Sequence, residues 1–324
     1  MMKYNDFGTV GKVSRLTLGG GGIGLIWGQS TREEAVATIK AALDGGIDLL
    51  DTAPMYGQCE SIVADAFGGK LPSHLRITTK YQLGSPAPED VGPKLAQSLD
   101  ASLAAMKIDR VDVFFLHTNI CPDDYVYAFH PEIQDRVATR WSLYAERVIP
   151  AMESLKAQGK IGHWGITGVG VPDTILRAIG AAKPPAVIQA VTNLLDSAGS
   201  LRRFAESADP RRIIAAAKAR GIAVMGIRAV QAGALTAQID RTLSPNNPDA
   251  KDYARAEPYR ALCRELGEDP AILAHRYALS LTGVDTVVLG VKNRSELEQC
   301  LAAEKSGPLE PALMAIIDGL GLKV

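Results

Sequence analysis

The chain has little that could staple it together, draw it to a polyanion or seat it in a bilayer. Its four cysteines, Cys59, Cys121, Cys263 and Cys300, form no C-x-x-C pair. In a long chain without a signal-like start they argue against a disulfide framework, and free thiols in a reducing cytoplasm are expected. Neither sign of charge is in excess, with 35 Lys and Arg against 36 Asp and Glu. No global field therefore favours nucleic acid or an anionic membrane. Apolar runs such as VDVFFLH (111–117) and IAVMGI (222–227) are far shorter than the roughly 20 residues that span a bilayer. There is no internal repeat, low-complexity tract or interdomain linker, and His74, His130, His163 and His275 lack the spacing of metal ligands. These absences leave a soluble protein whose expected partner is a small molecule, with no nucleic acid, membrane or metal.

What the sequence does contain is alternation. Short runs rich in β-branched residues recur at LTLG (16–19), IDLLD (47–51), RITTK (76–80), VDVFFLH (111–117), HWGIT (163–167), AVIQAV (186–191), IAVMGI (222–227) and DTVVLG (285–290). Between them lie stretches such as TREEAVATIKAALDGG and RRIIAAAKARG, with apolar residues at three- and four-residue spacing. Several strands are apolar throughout, as when both faces of a parallel strand are covered. Eight βα units predict a (β/α)8 TIM barrel, one domain over residues 1–324, in preference to a doubly wound sheet with a second domain. Thr31 with Glu34 reads as a capping box, Gly45 and Gly46 as the end of that helix, and Pro93, behind Gly92, as a first helical position. Residues 118–140 and 228–251, after the fourth and seventh strands, break the rhythm and are expected as extended functional loops.

The stretch GGGGIG (Gly19 to Gly24) has the G-x-G-x-x-G spacing of a dinucleotide-binding turn. In such a turn the helix starts on the last glycines, whereas here LIWGQS intervenes before the cap at Thr31. The match is read as coincidental.

Working residues of such barrels come from the C-terminal ends of strands. Those ends supply Asp51, Lys80 and His117, with Tyr56 just beyond Asp51. Singly, these residues suit a helix cap, a solvated cation, a satisfied histidine and a packing tyrosine; together on neighbouring strands they suggest a site. The segment GIDLLDTAPMYG (46–57) resembles the G-x-x-x-x-D-T-A-x-x-Y-G signature of the aldo-keto reductases. ITTK, RVDVFFLH, GKIGHWGIT, VIQAVTNLLD and GIAVMGIRAVQAGALT resemble further family segments in order, so the likeness covers essentially the whole chain.

The resemblance implies a barrel that binds an extended nicotinamide dinucleotide without a Rossmann turn. It implies Tyr56 as general acid in the reduction of an aldehyde or ketone, Lys80 favouring the phenolate, Asp51 holding Lys80, and His117 bonding the substrate oxygen. A cation 4 Å from a phenolate at an effective dielectric of about 20 contributes about 4 kcal/mol, or up to about 3 pKa units. Cofactor contacts are implied for Gly20, Asp51, Thr167, Gln189, Ile227, Arg228, Gly290, Lys292, Arg294 and Glu296. Gln189 and Thr167 would take the carboxamide, although a buried glutamine also suits an internal hydrogen bond. Lys292 and Arg294 would bind a 2′-phosphate or simply be solvated. Glu296 would oppose that phosphate, accept from a free 2′-hydroxyl, or form an N-x-x-E cap with Asn293. NADPH is expected first, as in most of the family, and NADH second.

The chain departs from the family in having Gly168 for a common Asn, Ile227 for a stacking aromatic and Cys300 for Asn at the adenine end. The substrate would meet Trp27, Tyr56 and His117, with DDYVYAFH (123–130), Trp141 and Tyr144 serving either as a lid or as packing. Two alternatives accompany carbonyl reduction. One is an aldose or sugar-lactol dehydrogenase working in the oxidative direction; the other is a dinucleotide-binding regulatory subunit with little turnover.

Overall fold

The β-branched runs become strands whose side chains are covered on both faces. The computed structural model describes residues 1–26 and 30–324. Its barrel strands are β1 (Leu16–Gly19), β2 (Leu49–Asp51), β3 (Arg76–Tyr81), β4 (Val111–Leu116), β5 (Ile161–Thr167), β6 (Val187–Val191), β7 (Ala223–Ile227) and β8 (Thr286–Leu289). These eight strands pair in chain order, all parallel, and close into a barrel. The closure aligns Val287 with Leu16, Val288 with Thr17 and Leu289 with Leu18. A hydrogen bond of 2.7 Å between the Thr17 and Thr286 hydroxyls spans the seam.

An antiparallel hairpin of Tyr4–Asp6 and Lys12–Ser14 precedes β1 and buries Phe7 and Val13. Both pack with Leu49, Val113, Phe115, Val187, Ala223 and Met225, so the barrel interior is a filled core rather than a pore.

Each strand is followed by a helix that packs on the barrel: α1 (Arg32–Asp44), α2 (Cys59–Phe67), α3 (Val91–Met106), α4 (Ile149–Ala157), α5 (Pro172–Ile179), α6 (Pro210–Ala219), α7 (Pro270–Ser280) and α8 (Arg294–Lys305), with further short helices in some of the connections. Their apolar faces and the outward strand residues form the largest core cluster, which includes Ile39, Ile62, Leu99, Met152 and Ile213. The Thr31 hydroxyl accepts from Glu34 N at 3.1 Å and caps α1, while Gly45 closes it. Helix α3 starts at Val91, two residues before Pro93, behind a 3-10 turn at Pro88–Asp90. Pro93 is tolerated there because first-turn N–H groups have no partner inside the helix.

Both expected excursions contain more order than their composition suggests. Residues 119–121 and 138–140 pair as a short parallel ribbon. The 228–251 segment passes through left-handed backbone at Arg228, Gln231 and Ala232 and runs into a helix at Pro248–Arg255. A second helix at Glu257–Leu266 follows before α7, and Pro311–Gly319 forms a helix near the C-terminus. Among the described residues no helix is long and apolar enough to cross a membrane.

Candidate active site

Strand alternation decides which side chains reach the barrel mouth. On β3, Thr78 and Lys80 both turn to Asp51, whereas the intervening Thr79 points the other way and donates to Glu60 at 2.7 Å. Asp51, at the end of β2 and buried, takes three side-chain donors. Its Oδ2 accepts from Lys80 Nζ at 2.7 Å, and its Oδ1 accepts from Thr78 Oγ1 at 2.6 Å and Gln189 Nε2 at 2.9 Å. Lys80 is fully buried and also donates to the Thr52 carbonyl at 2.8 Å.

The Lys80 ammonium lies 4.6 Å from the centre of the Tyr56 ring, which meets the His117 ring edge to face at 6.0 Å. Three adjacent strands thus bring Asp51, Tyr56, Lys80 and His117 together, as their sequence positions predict. Beside them is a cavity of about 130 Å³ lined by Pro54, Met55, Lys80, Tyr81, Gln82 and His117. Tyr81 and Gln82 add to the expected wall. The strand pattern ends at Lys80 in sequence, whereas β3 continues to Tyr81.

Electrostatics assigns these groups their protonation states. Burial works against the Lys80 charge, but Asp51 and Tyr56 outweigh it and hold its pKa above the ordinary lysine value. Burial raises the Tyr56 phenol, and the opposing attraction of Lys80 does not overcome it. The expected phenolate-favouring field is therefore present but is the smaller influence, and Tyr56 is a neutral acid. Burial, reinforced by Lys80, pushes His117 down from 6.5 to about 3, leaving a neutral imidazole with one N–H to donate.

The glycine stretch serves this site in another way. Residues Gly20–Ile23 form a single helical turn beneath the Tyr56 loop. A Cβ on Gly20 would lie 2.6 Å from Cys59 Sγ and 2.9 Å from Tyr56 Cδ2. The missing side chain lets this turn press against the tyrosine.

Thr167, at the end of β5, and Gln189, in the middle of β6, are register partners and face the same way. Gln189 makes the internal bond to Asp51 that a buried glutamine suggests, while its Oε1 accepts nothing among the described residues. The Thr167 hydroxyl is buried and has no hydrogen-bond partner among them. Gly168 is close-packed, since a Cβ there would meet the Gln189 carbonyl oxygen at 2.8 Å. Ile227 is partly buried against a cluster containing Tyr127, Val191 and Phe204.

Several implied cofactor residues already hold partners in the chain. Arg228 is ion-paired with Asp249 at 2.6 Å and bonds Gln231 at 2.8 Å. Lys292 is paired with Asp240 at 2.7 Å and Glu296 at 3.1 Å, and Arg294 with Glu34 at 2.9 Å. Lys292 is thus largely covered by its partners, whereas Arg294 is paired yet still more than half exposed to solvent. Asn293 accepts from Glu296 N at 2.9 Å, as the N-x-x-E reading predicts. Gly290 is exposed, and a side chain on it would meet nothing.

The aromatic residues divide. Tyr144 is fully buried and Trp141 lies under Arg177, 3.9 Å from its guanidinium carbon, so both are packing. Val126 and Phe129 are exposed, and Tyr127 is buried with its hydroxyl on Asn119 at 3.0 Å. Trp27 lies outside the described residues. All four cysteines are free and buried.

Comparisons with known proteins bear on the family and the fold. Residues 15–321 match the model of the aldo/keto reductase family. L-galactose dehydrogenase from Arabidopsis thaliana is 24% identical over 299 residues, covering 90% of this chain and 84% of that one. An aldo-keto reductase from Bacillus subtilis is 25% identical over 323 residues, covering 92% and 87%. The holo form of an aldo-keto reductase from Bacillus halodurans superposes with a TM-score of 0.71 over 99% of this chain and 96% of that one, at 21% identity.

Proposed function

The chain belongs to the aldo/keto reductase family of oxidoreductases, and from that premise we propose that it reduces an aldehyde or ketone with a nicotinamide dinucleotide, Tyr56 acting as general acid. The observation that carries this reading is the sequence of contacts from buried Asp51 through buried Lys80 to the half-buried Tyr56 ring, with neutral His117 across the ring.

The residues present fit the cofactor. The partnerless Thr167 hydroxyl and the free Gln189 Oε1, side by side at the mouth, match a carboxamide that both donates and accepts. Leaving a buried hydroxyl unsatisfied costs about 1–3 kcal/mol, so a ligand that satisfies it is stabilised. A bound reduced nicotinamide supplies the hydride.

The chain's own groups handle the charge. As the carbonyl carbon is reduced, negative charge moves onto its oxygen. Tyr56 gives that oxygen its phenolic proton, Lys80 stabilises the phenolate left behind, and His117 donates its ring N–H to the same oxygen. Asp51, fixed by Thr78 and Gln189, keeps Lys80 charged and directed. In the reverse direction the phenolate accepts the alcohol proton.

The similarity to L-galactose dehydrogenase over most of both chains favours a second reading, in which an aldose is oxidised at the same site. Turnover of a panel of aldehydes, ketones and aldoses, read by nicotinamide absorbance with each dinucleotide in both directions, tests the proposal. Substrate-dependent hydride transfer is expected. A folded protein that turns over nothing in the panel would remove carbonyl chemistry from the account.

A further inference from the structure

We infer that this enzyme is built to select the dinucleotide with a free 2′-hydroxyl, NADH, over the 2′-phosphorylated NADPH, and that Glu34 and Glu296 enforce the choice. The inference rests on the dinucleotide reading above and reverses the order expected from the family resemblance.

Barrels of this kind hold phosphate groups at the loops after the seventh and eighth strands and at a nearby helix N-terminus, where free backbone N–H groups and the helix dipole favour anions. In this chain that place is the start of α8, and three of its backbone donors are already committed to side-chain acceptors of the protein. The Lys292 N–H donates to Glu296 Oε2 at 2.9 Å, the Arg294 N–H to Glu34 Oε1 at 2.9 Å, and the Glu296 N–H to Asn293 Oδ1 at 2.9 Å. The side-chain cations are committed as well. Arg294 grips Glu34 with Nε at 3.1 Å and a terminal nitrogen at 2.9 Å, and Lys292 Nζ bridges Asp240 and Glu296. Arg241, on the loop after β7, is paired with Asp240 at 3.2 Å.

A 2′-phosphate carries about −1.5 to −2 charge near neutral pH and needs donors. Here it would compete with Glu34 for Arg294 and sit beside the carboxylates of Glu296 and Glu34. A ribose hydroxyl makes no such demand; it donates to a carboxylate and leaves every pair in place. The same residues that could form a phosphate clamp are thus neutralised by chain segments distant in sequence, Glu34 on α1 and Asp240 after β7.

Calorimetric titration of the whole protein with NADH and NADPH, alongside Glu296→Gln and Glu34→Gln, tests this directly. Glutamine preserves an acceptor oxygen for the Lys292 or Arg294 N–H while removing the charge. NADH is expected to bind at least about tenfold more tightly to the unaltered protein, and each variant is expected to narrow that ratio several-fold by gaining NADPH affinity. Equal or tighter NADPH binding by the unaltered protein overturns the inference. So does an NADH preference that neither variant relaxes. Binding of neither dinucleotide to folded protein overturns the proposed function itself, and the preference with it.

Discussion

Lys80 carries two roles that one substitution removes and two measurements tell apart. It is the buried partner of Asp51 and the cation beside Tyr56, so Lys80→Met removes a stabilising pair and the field on the phenol together. Breaking a buried pair costs about 3–5 kcal/mol, measurable as a shift in denaturant midpoint. The field predicts a pH effect of definite sign. Without the ammonium the phenol rises further, so the limb on which alcohol oxidation increases with pH moves to more alkaline values, while dinucleotide affinity changes little. Because the folded pKa of Lys80 is raised, the pair's contribution is complete at neutral pH and is lost only as pH climbs through the lysine range. His117 behaves oppositely. Its folded pKa is depressed from 6.5 to about 3, so the unfolded chain takes up a proton that the folded chain refuses, and stability falls as pH drops through that interval. His163 and His275 are depressed too and act in the same direction. Thermal melts across this interval should show a shallower acid loss in His117→Gln than in the unaltered protein. Parallel curves would place the acid sensitivity elsewhere.

At the scale of elements, the turn after β1 supports the Tyr56 loop, with Gly20 and Gly24 packed against Tyr56 and Gly22 against Val291. Gly20→Ala inserts a methyl group against Cys59 Sγ and the tyrosine ring. Overpacking of this kind costs about 1–3 kcal/mol, and displacing Tyr56 should lower turnover by roughly tenfold or more with the fold intact by circular dichroism. Unchanged turnover would show that the loop absorbs the methyl without moving the acid. This contact was invisible in GGGGIG itself, because spacing records neighbours in the chain and not across a barrel mouth. The strands and the Thr31 cap were legible because periodicity and capping are local. So were Asp51, Lys80 and His117, which stand at or just beyond the ends of apolar strands. Pairings between distant segments were not: Arg294 and Glu34 lie 260 residues apart, and Lys292 and Asp240 lie 52 apart. The net state of Tyr56 was hidden for a related reason. A sequence names the cation beside the phenol, but the burial that outweighs it exists only after folding.

In the whole molecule, the parallel closure puts the proposed proton donors on one arc of the mouth, at β2 to β4, and the proposed carboxamide contacts on another, at β5 and β6. Gln189 joins the arcs through Asp51 without touching the Tyr56 hydroxyl. On the proposed reading, dinucleotide binding and acid catalysis are therefore separable functions of one scaffold. The most direct test of the account is Tyr56→Phe, with dinucleotide affinity and single-turnover hydride transfer measured on the same preparation. Loss of the acid should slow transfer by about 10²–10⁴ while affinity stays within about threefold of the unaltered protein. Transfer at an undiminished rate would contradict the assignment of Tyr56 as the proton donor.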